Sequence, residues 1–403
     1  MRNTIPRGVP EKVLPQTVSL HMHTRTADGQ GLDSFGAGVI LDAEGLILTC
    51  AHVLDGNCSV IVTLYDGTTY VPEIIAKDDA TDLALLRIKP RNPLVPVTFA
   101  DMRQMHLGDP IFAVGTPLAM RCAFSITLGR VSHQMRYKVS AANPALACLQ
   151  TDTPLNAGNS GGGVFNANGQ LVGIGVAIET ATGSEANLGI GYATRADDIA
   201  AVLPRLRAKG CLPKPQLGMY VDILNAPTAL ALGLEKPEGC LVREVQPQSV
   251  AHVAGLQPLD VITQVAAMPT PTQGALMRAV YIFGGKRVTL KVWRQRRYVT
   301  LKATIAEANL PQAQLLKTVK TNVLGMWVKP VKEGLEVVRI TPQSPAILSG
   351  IEPEDVLTHI NQNGKWRPLK TADDLKKAAN EGKPLLLRGC FEGVDRVMGL
   401  LPA

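Results

Sequence analysis

Two stretches of this chain are copies of one another. VQPQSVAHVAGLQPLDVIT begins at residue 245 and returns as ITPQSPAILSGIEPEDVLT at 340, an offset of 95 residues. QLGMYV at 216 likewise returns as VLGMWV at 323. A self-similar period of this length marks two related folding modules, so the C-terminal half cannot be one continuous core. The first motif pair lies 107 residues apart, so the first module carries about a dozen extra residues, near 222–236. Each copy has a helix candidate at the same place. PTQGALMRAVYIFGG puts Leu276, Ala279, Val280 and Phe283 on one face and stops at Gly284. In the second copy Thr371 caps ADDLKKAANEG, with Asp374 three residues on and Gly382 as terminator.

The N-terminal half has a different grammar. From about residue 14 to 200, short apolar or alternating runs are separated by turn signals, among them GAGVILDAEGLILTCAHV, DLALLRI and QLVGIGVAI. Strands at this density, joined by DAEG, YDGT and NANG hairpin turns, point to an all-β barrel or sandwich. One helix, RADDIAAVLPRLRAKG, closes the region, with Pro204 expected to kink or shorten it. CLPKP (211–215) and AEANLPQAQLLKTVKT (306–321) read as linkers.

The chemistry centres on NAGNSGGGVF, where glycines crowd Ser160 beyond the needs of a turn. A serine hydroxyl becomes a nucleophile only beside a base, which in turn needs an orienting acid. His52 follows an apolar strand in LILTCAHVLDG, and Asp82 directly precedes one in DDATDLALLRI. Asp78 and Asp79 are alternatives for the acid, in a more polar, loop-like setting.

TCAHV, TDLALLRI and GNSGG together resemble the signature segments of trypsin-like serine proteases of the HtrA (Deg) family, and the repeated modules resemble its two PDZ domains. The resemblance implies a mainly β chain: a double β-barrel protease domain over 14–208, a PDZ domain over 216–306 and a PDZ-like domain over 322–401, the last two α+β. It implies His52 as general base, Asp82 as its orienting acid and Ser160 as nucleophile, with the N–H groups of Gly158 and Ser160 as oxyanion hole. Pro154, Gly191, Tyr192 and Ala193 would shape the specificity pocket. With no acid on its floor, that pocket favours small or medium aliphatic residues, and Asp152 is read as structural. Leu217, Gly218, Met219, Leu276 and Val280 would bind peptide C-termini in the first module, and Leu324, Gly325 and Met326 in the second, with the first the better receptor.

The function implied is an ATP-independent endopeptidase acting on unfolded or damaged protein, its PDZ modules selecting substrates or controlling activity. A non-catalytic PDZ scaffold or holdase is the alternative. Relatives imply a homo-oligomer, commonly a trimer. The formal charge is +7, and 286–302 carries seven basic residues and no acid. The solvated face of a hairpin is preferred for that stripe over a membrane surface, and nucleic acid is set aside. Seven scattered cysteines without a C-x-x-C pair argue against a disulfide framework or zinc site, although a Cys50–Cys58 bridge stays open. His21 and His23 could hold a metal, but no other ligand cluster accompanies them and a strand with one exposed face is the preferred reading, so no metal and no cofactor is expected. The loop 24–34 reads as short. MRNTIPRGVPEKVLPQTVSL has no apolar signal segment. The chain as written therefore reads as cytoplasmic, or as extracytoplasmic if a targeting segment is missing.

Overall fold

The computed structural model describes residues 4–25, 31–55, 58–137, 139, 145–180, 187–307, 322–340, 346, 351, 353–362, 365–379, 385–391 and 394–400. It divides into two compact units, Met1–Leu310 and Pro311–Ala403.

The first unit begins with two β layers. Seven strands form one open sheet in the order Thr69–Tyr70, Cys58–Leu64, Thr17–Arg25, Gly31–Ile40, Leu46–Thr49, Leu83–Arg87, Glu73–Asp78. Six others close into a barrel in the order Cys148–Thr151, Asn187–Arg195, Leu171–Thr180, Gly163–Asn166, Pro110–Gly115, Ser125–Arg136. Of the two barrels expected, one is thus closed and the other is an open, curved half-barrel. Leu46–Thr49, Pro110–Gly115 and most of Leu83–Arg87 are buried on both faces, which is why their sequences read as continuous apolar runs instead of alternating ones. The flanks of the 24–34 segment are strand, Thr17–Arg25 pairing Gly31–Ile40.

The closing helix runs Ala196–Lys209 straight through Pro204 and stops at Gly210 with φ +77°, so proline does not shorten it. The linker expected at 211–215 is fastened down. Leu212 is buried and its N–H donates to Asp78, and Pro215–Gln216 pairs with Ala306–Glu307.

The first repeat module follows in the same unit. Its sheet has the order Met219–Ile223, Cys240–Val245, Val261–Val265, Arg287–Arg294, Arg297–Thr304, and the helix Gln273–Ile282, capped by Thr272, packs Leu276, Ala279 and Val280 into its core. The basic stripe is a hairpin whose Val288, Leu290 and Val292 point inward while Arg287, Thr289 and Lys291 face solvent, the reading preferred from sequence. The extra residues of this module hold a short helix, Ala226–Ala231.

The second unit repeats the plan: a sheet of Asn322–Val323, Met326–Val331, Gly334–Ile340, Val356–Gln362, Leu385–Phe391 and Val394–Leu400, with the helix Ala372–Ala379. Thr371 and Asp374 cap its start reciprocally, each backbone N–H reaching the other's side chain. Gly382, expected to end it, lies outside the described residues. No helix among the described residues is long and apolar enough to cross a membrane.

Candidate active site

Thr49 pairs with Ala84 across neighbouring strands, and that pairing brings Asp82 beside His52. The strand Leu46–Thr49 ends, the chain turns at Cys50, and a short 3-10 helix carries His52. Asp82 is fully buried with φ +53°, a left-handed conformation that non-glycine residues adopt only when their surroundings impose it. Its carbonyl accepts from Ala51 N–H at 3.1 Å, its Oδ1 from His52 N–H at 2.9 Å, and its Oδ2 lies 2.7 Å from His52 Nδ1. An ionised carboxylate only accepts, so Nδ1 carries the proton and Nε2 keeps its lone pair for a reacting group. The other two acids are occupied elsewhere: Asp78 binds Thr81 and Leu212, and Asp79 pairs with Lys77 at 3.4 Å.

Ser160 lies at the seam of the two β layers. Its carbonyl accepts from Ala37 N–H of the half-barrel at 2.9 Å. Gly158 has φ +93°, and a Cβ there would stand 2.1 Å from Thr116 O, so no other residue fits. Among the described residues the N–H groups of Gly158 and Ser160 donate to no protein acceptor, while Asn159, Gly161 and Gly162 all do. Two uncovered donors beside one serine are the arrangement that the expected oxyanion hole needs. Gly161 has another reason to be glycine: a Cβ would strike Ala37 O and Thr49 Oγ1 at 2.2 Å. The glycine run therefore serves two needs, uncovering donors and letting the half-barrel approach the nucleophile loop. His52 and Asp82 are joined by two hydrogen bonds, and among the described residues no hydrogen bond joins Ser160 Oγ to His52.

Cys50 is a free, buried thiol that donates to Gly175 O at 3.4 Å, which leaves no bridge to Cys58. Burial, and then the Asp82 charge, push the thiol's pKa well up, so it is neither nucleophile nor thiolate. Cys50, His52 and Asp82 offer ligand atoms within 4.8 Å of one another, but His52 Nδ1 and Asp82 are committed to each other.

Of the expected pocket residues, Pro154 is exposed, whereas Tyr192 and Ala193 are buried in the barrel core. A Cβ on Gly191 would meet Leu155 Cδ1 at 2.9 Å, so Leu155, not singled out from sequence, narrows this wall. Asp152 accepts from Arg130 N–H and is tied into the loop.

In the first module Leu217 is buried in the core, Gly218 has φ +73°, and Met219–Ile223 is an edge strand beside the helix Gln273–Ile282, with Tyr220 and Ile223 exposed along it. Leu276 and Val280 are buried in the module's core. In the second, Leu324 and Gly325 have φ +56° and +81° and join Asn322–Val323 to Met326–Val331 as a tight hairpin, with Met326 buried.

Sequence reasoning missed the seam between the first module and the barrel. Arg278, on the groove helix, holds the fully buried Asp198 through Nε at 2.7 and 2.8 Å and also through Nη2. Asp198 also accepts from Ala147 N–H at 2.9 Å, one residue before a barrel strand. Burial pushes the Asp198 carboxyl up, and Arg278 pulls it back. Glu307 takes both Arg205 and Lys209. The available signal was a lone arginine inside the apolar run ALMRAVYI.

A family described as trypsin-like peptidase domain matches residues 36–174. The periplasmic serine endoprotease DegP of Salmonella typhimurium is 30% identical over 358 residues, covering 88% of this chain and 73% of its own length. DegP of Escherichia coli strain K12 is 30% identical over 372 residues, 91% and 76% of the two chains. Among solved structures, the HtrA-type protease AlgW with tripeptide superposes with a TM-score of 0.62 at 29% identity, covering 76% of this chain and 98% of that one. Both DegP relatives are named periplasmic, which gives no support to the cytoplasmic expectation.

Proposed function

Because this chain belongs to the HtrA family of trypsin-like serine endopeptidases, as its identity to DegP over most of both chains establishes, we propose that His52, Asp82 and Ser160 carry its chemistry. Substrate seats its carbonyl against the Gly158 and Ser160 N–H groups, and Ser160 Oγ attacks as His52 Nε2 takes its proton. His52 then gives that proton to the leaving amine, and water repeats the cycle to release the acyl group and free Ser160. Asp82 holds the tautomer and stabilises the imidazolium. Each oxyanion donor contributes about 3 to 4 kcal/mol to the transition state. The observation that carries this reading is the buried, doubly bonded Asp82 against His52, together with the uncovered N–H groups of Gly158 and Ser160.

The substrates proposed are unfolded or damaged proteins in the periplasm, cleaved after small or medium aliphatic residues. Leu155 beside Gly191 supports the small pocket. We place peptide recognition in the first module, where a C-terminal strand adds to the Met219–Ile223 edge and its carboxylate meets the loop at Leu217–Met219. Arg278 then couples that edge to the barrel through Asp198, and a homo-oligomer, a trimer, is the proposed assembly. Casein cleavage by wild type and Ser160→Ala, with and without a hydrophobic C-terminal peptide, tests this. Loss by at least about a thousandfold in the variant is expected; equal rates would remove Ser160 as nucleophile, and no cleavage by a folded wild type under either condition would favour the scaffold.

A further inference from the structure

Every carbonyl of the nucleophile loop from Leu155 to Ser160 accepts a hydrogen bond. Backbone N–H groups hold the last five at 2.9 to 3.2 Å, Leu118 taking Ala157 O and Gly162 taking Asn159 O among them. In a trans peptide a carbonyl and the N–H that follows it point opposite ways. Pinning Ala157 O and Asn159 O therefore turns the Gly158 and Ser160 N–H groups to the other side, where they stay uncovered. The first carbonyl is held differently: a side chain, Asn187 Nδ2, donates to Leu155 O at 2.7 Å.

The other end of that amide is also in use. Asn187 Oδ1 accepts from Gly189 N–H at 2.7 Å and from Ile190 N–H at 3.0 Å. Two donors at one end and a carbonyl at the other fix which end is oxygen, and three of the four hydrogen bonds an asparagine can make are filled. An aspartate in its place would lack the donor. Asn187 thus ties the start of the strand Asn187–Arg195 to the loop that carries the oxyanion donors. The same two segments meet again through the Leu155 side chain, which is 3% exposed and whose Cδ1 would stand 2.9 Å from a Cβ on Gly191. Leu155 is held by its carbonyl and by its side chain at once.

We propose that Asn187 is a positioning residue that sets selectivity at the cleavage site: by fixing Leu155 O it keeps the Leu155 side chain against Gly191 and the pocket small. The inference rests on the endopeptidase reading, with its pocket wall at Leu155 and Gly191. Asn187 acts through Leu155 and not on substrate. Without its donor, a carbonyl that has given up water is left unpaired, the segment at Leu155 gives, and the side chain backs away from Gly191. The room gained admits a larger residue and loosens the grip on a small one, and a single methylene in such a pocket is worth about tenfold or more in rate.

Asn187→Asp isolates the donor, because its carboxylate keeps both acceptor bonds to Gly189 and Ile190 and turns an oxygen toward Leu155 O. The readout is kcat/KM on two peptides that differ only in Val or Phe at the cleavage site. Wild type is expected to prefer Val, and the variant to narrow the Val-over-Phe ratio by at least about tenfold. An unchanged ratio, including an equal loss on both peptides, would overturn the proposal. Asn187→Ala removes the donor without adding charge and carries the same reading should the aspartate variant not fold; failure of both to fold would make Asn187 a structural residue and overturn it. Combining Asn187→Asp with Leu155→Ala supplies a second test. The pair should show the ratio of Leu155→Ala alone, since the wall through which Asn187 acts is gone, whereas additive shifts would contradict the route through Leu155. A folded wild type that cleaves neither these peptides nor casein would sink the endopeptidase reading itself; an active wild type with an unchanged ratio in the variants sinks this inference alone.

Discussion

The two repeat modules share their motifs and differ in what those motifs are left free to do. In the first, the strand after QLGM is the edge of its sheet, and the preceding residues, Pro215–Gln216, leave to pair with Ala306–Glu307. In the second, the residues before VLGM fold back as Asn322–Val323 and pair with Met326–Trp327, so the start of the same edge is taken by the module's own chain. An added peptide strand needs a row of unpaired backbone groups, and among the described residues the Met219–Ile223 edge offers the longer one. Its groove is not wholly open, since Gln273 Nε2 donates across it to Val221 O at 2.8 Å. The first module's helix also carries Arg278 into the barrel seam. Sequence similarity thus preserves the module's core, while the two modules differ in edge pairing and in the charged side chain that the first carries into the barrel seam.

The largest effect expected is at that seam. Arg278→Ala strands a fully buried carboxylate and should cost about 3 kcal/mol or more in the unfolding of the first unit, leaving the transition of the second unit where it was; differential scanning calorimetry separates the two. The sign with pH follows from burial, which pushes Asp198 upward. Without Arg278 its folded pKa stands further above the unfolded one. The variant should therefore lose stability as pH rises from the ordinary carboxylate range toward neutrality, more steeply than wild type does. A flat profile would mean that Asp198 finds another partner. Next comes Gly218→Ala: its Cβ would stand 2.3 Å from Ser249 Cβ at φ +73°, and peptide affinity should fall about tenfold, near 1.4 kcal/mol. Gly325→Ala, at the matching position of the closed hairpin, should leave affinity unchanged by fluorescence anisotropy. The smallest effect is Gln273→Ala, which frees Val221 O and should tighten peptide binding about threefold, in line with one net hydrogen bond.

How much of this was readable beforehand follows from the range of each interaction. The strand-rich first half, the repeat and the helix capped by Thr371 were legible because period, turn residues and caps act over a few positions. His52, Asp82 and Ser160 were legible only as motifs in company. The reason Asp82 outranks Asp78 is a strand pairing, Thr49 opposite Ala84, that periodicity does not encode. Arg278–Asp198 spans 80 residues, and Asp33 meets His21 and His23 only through register. Leu212 looked like linker because CLPKP is linker-like in composition, yet its burial is decided by an aspartate 134 residues away. Composition carries none of these long-range partners.

The most direct test of the account is the rate of casein cleavage measured as a hydrophobic C-terminal peptide is titrated into wild type, Gly218→Ala and Gly325→Ala. The account predicts that peptide accelerates wild type and Gly325→Ala alike, while Gly218→Ala keeps its basal rate and loses the response. A response kept in Gly218→Ala and lost in Gly325→Ala would contradict it, moving both recognition and control to the second module.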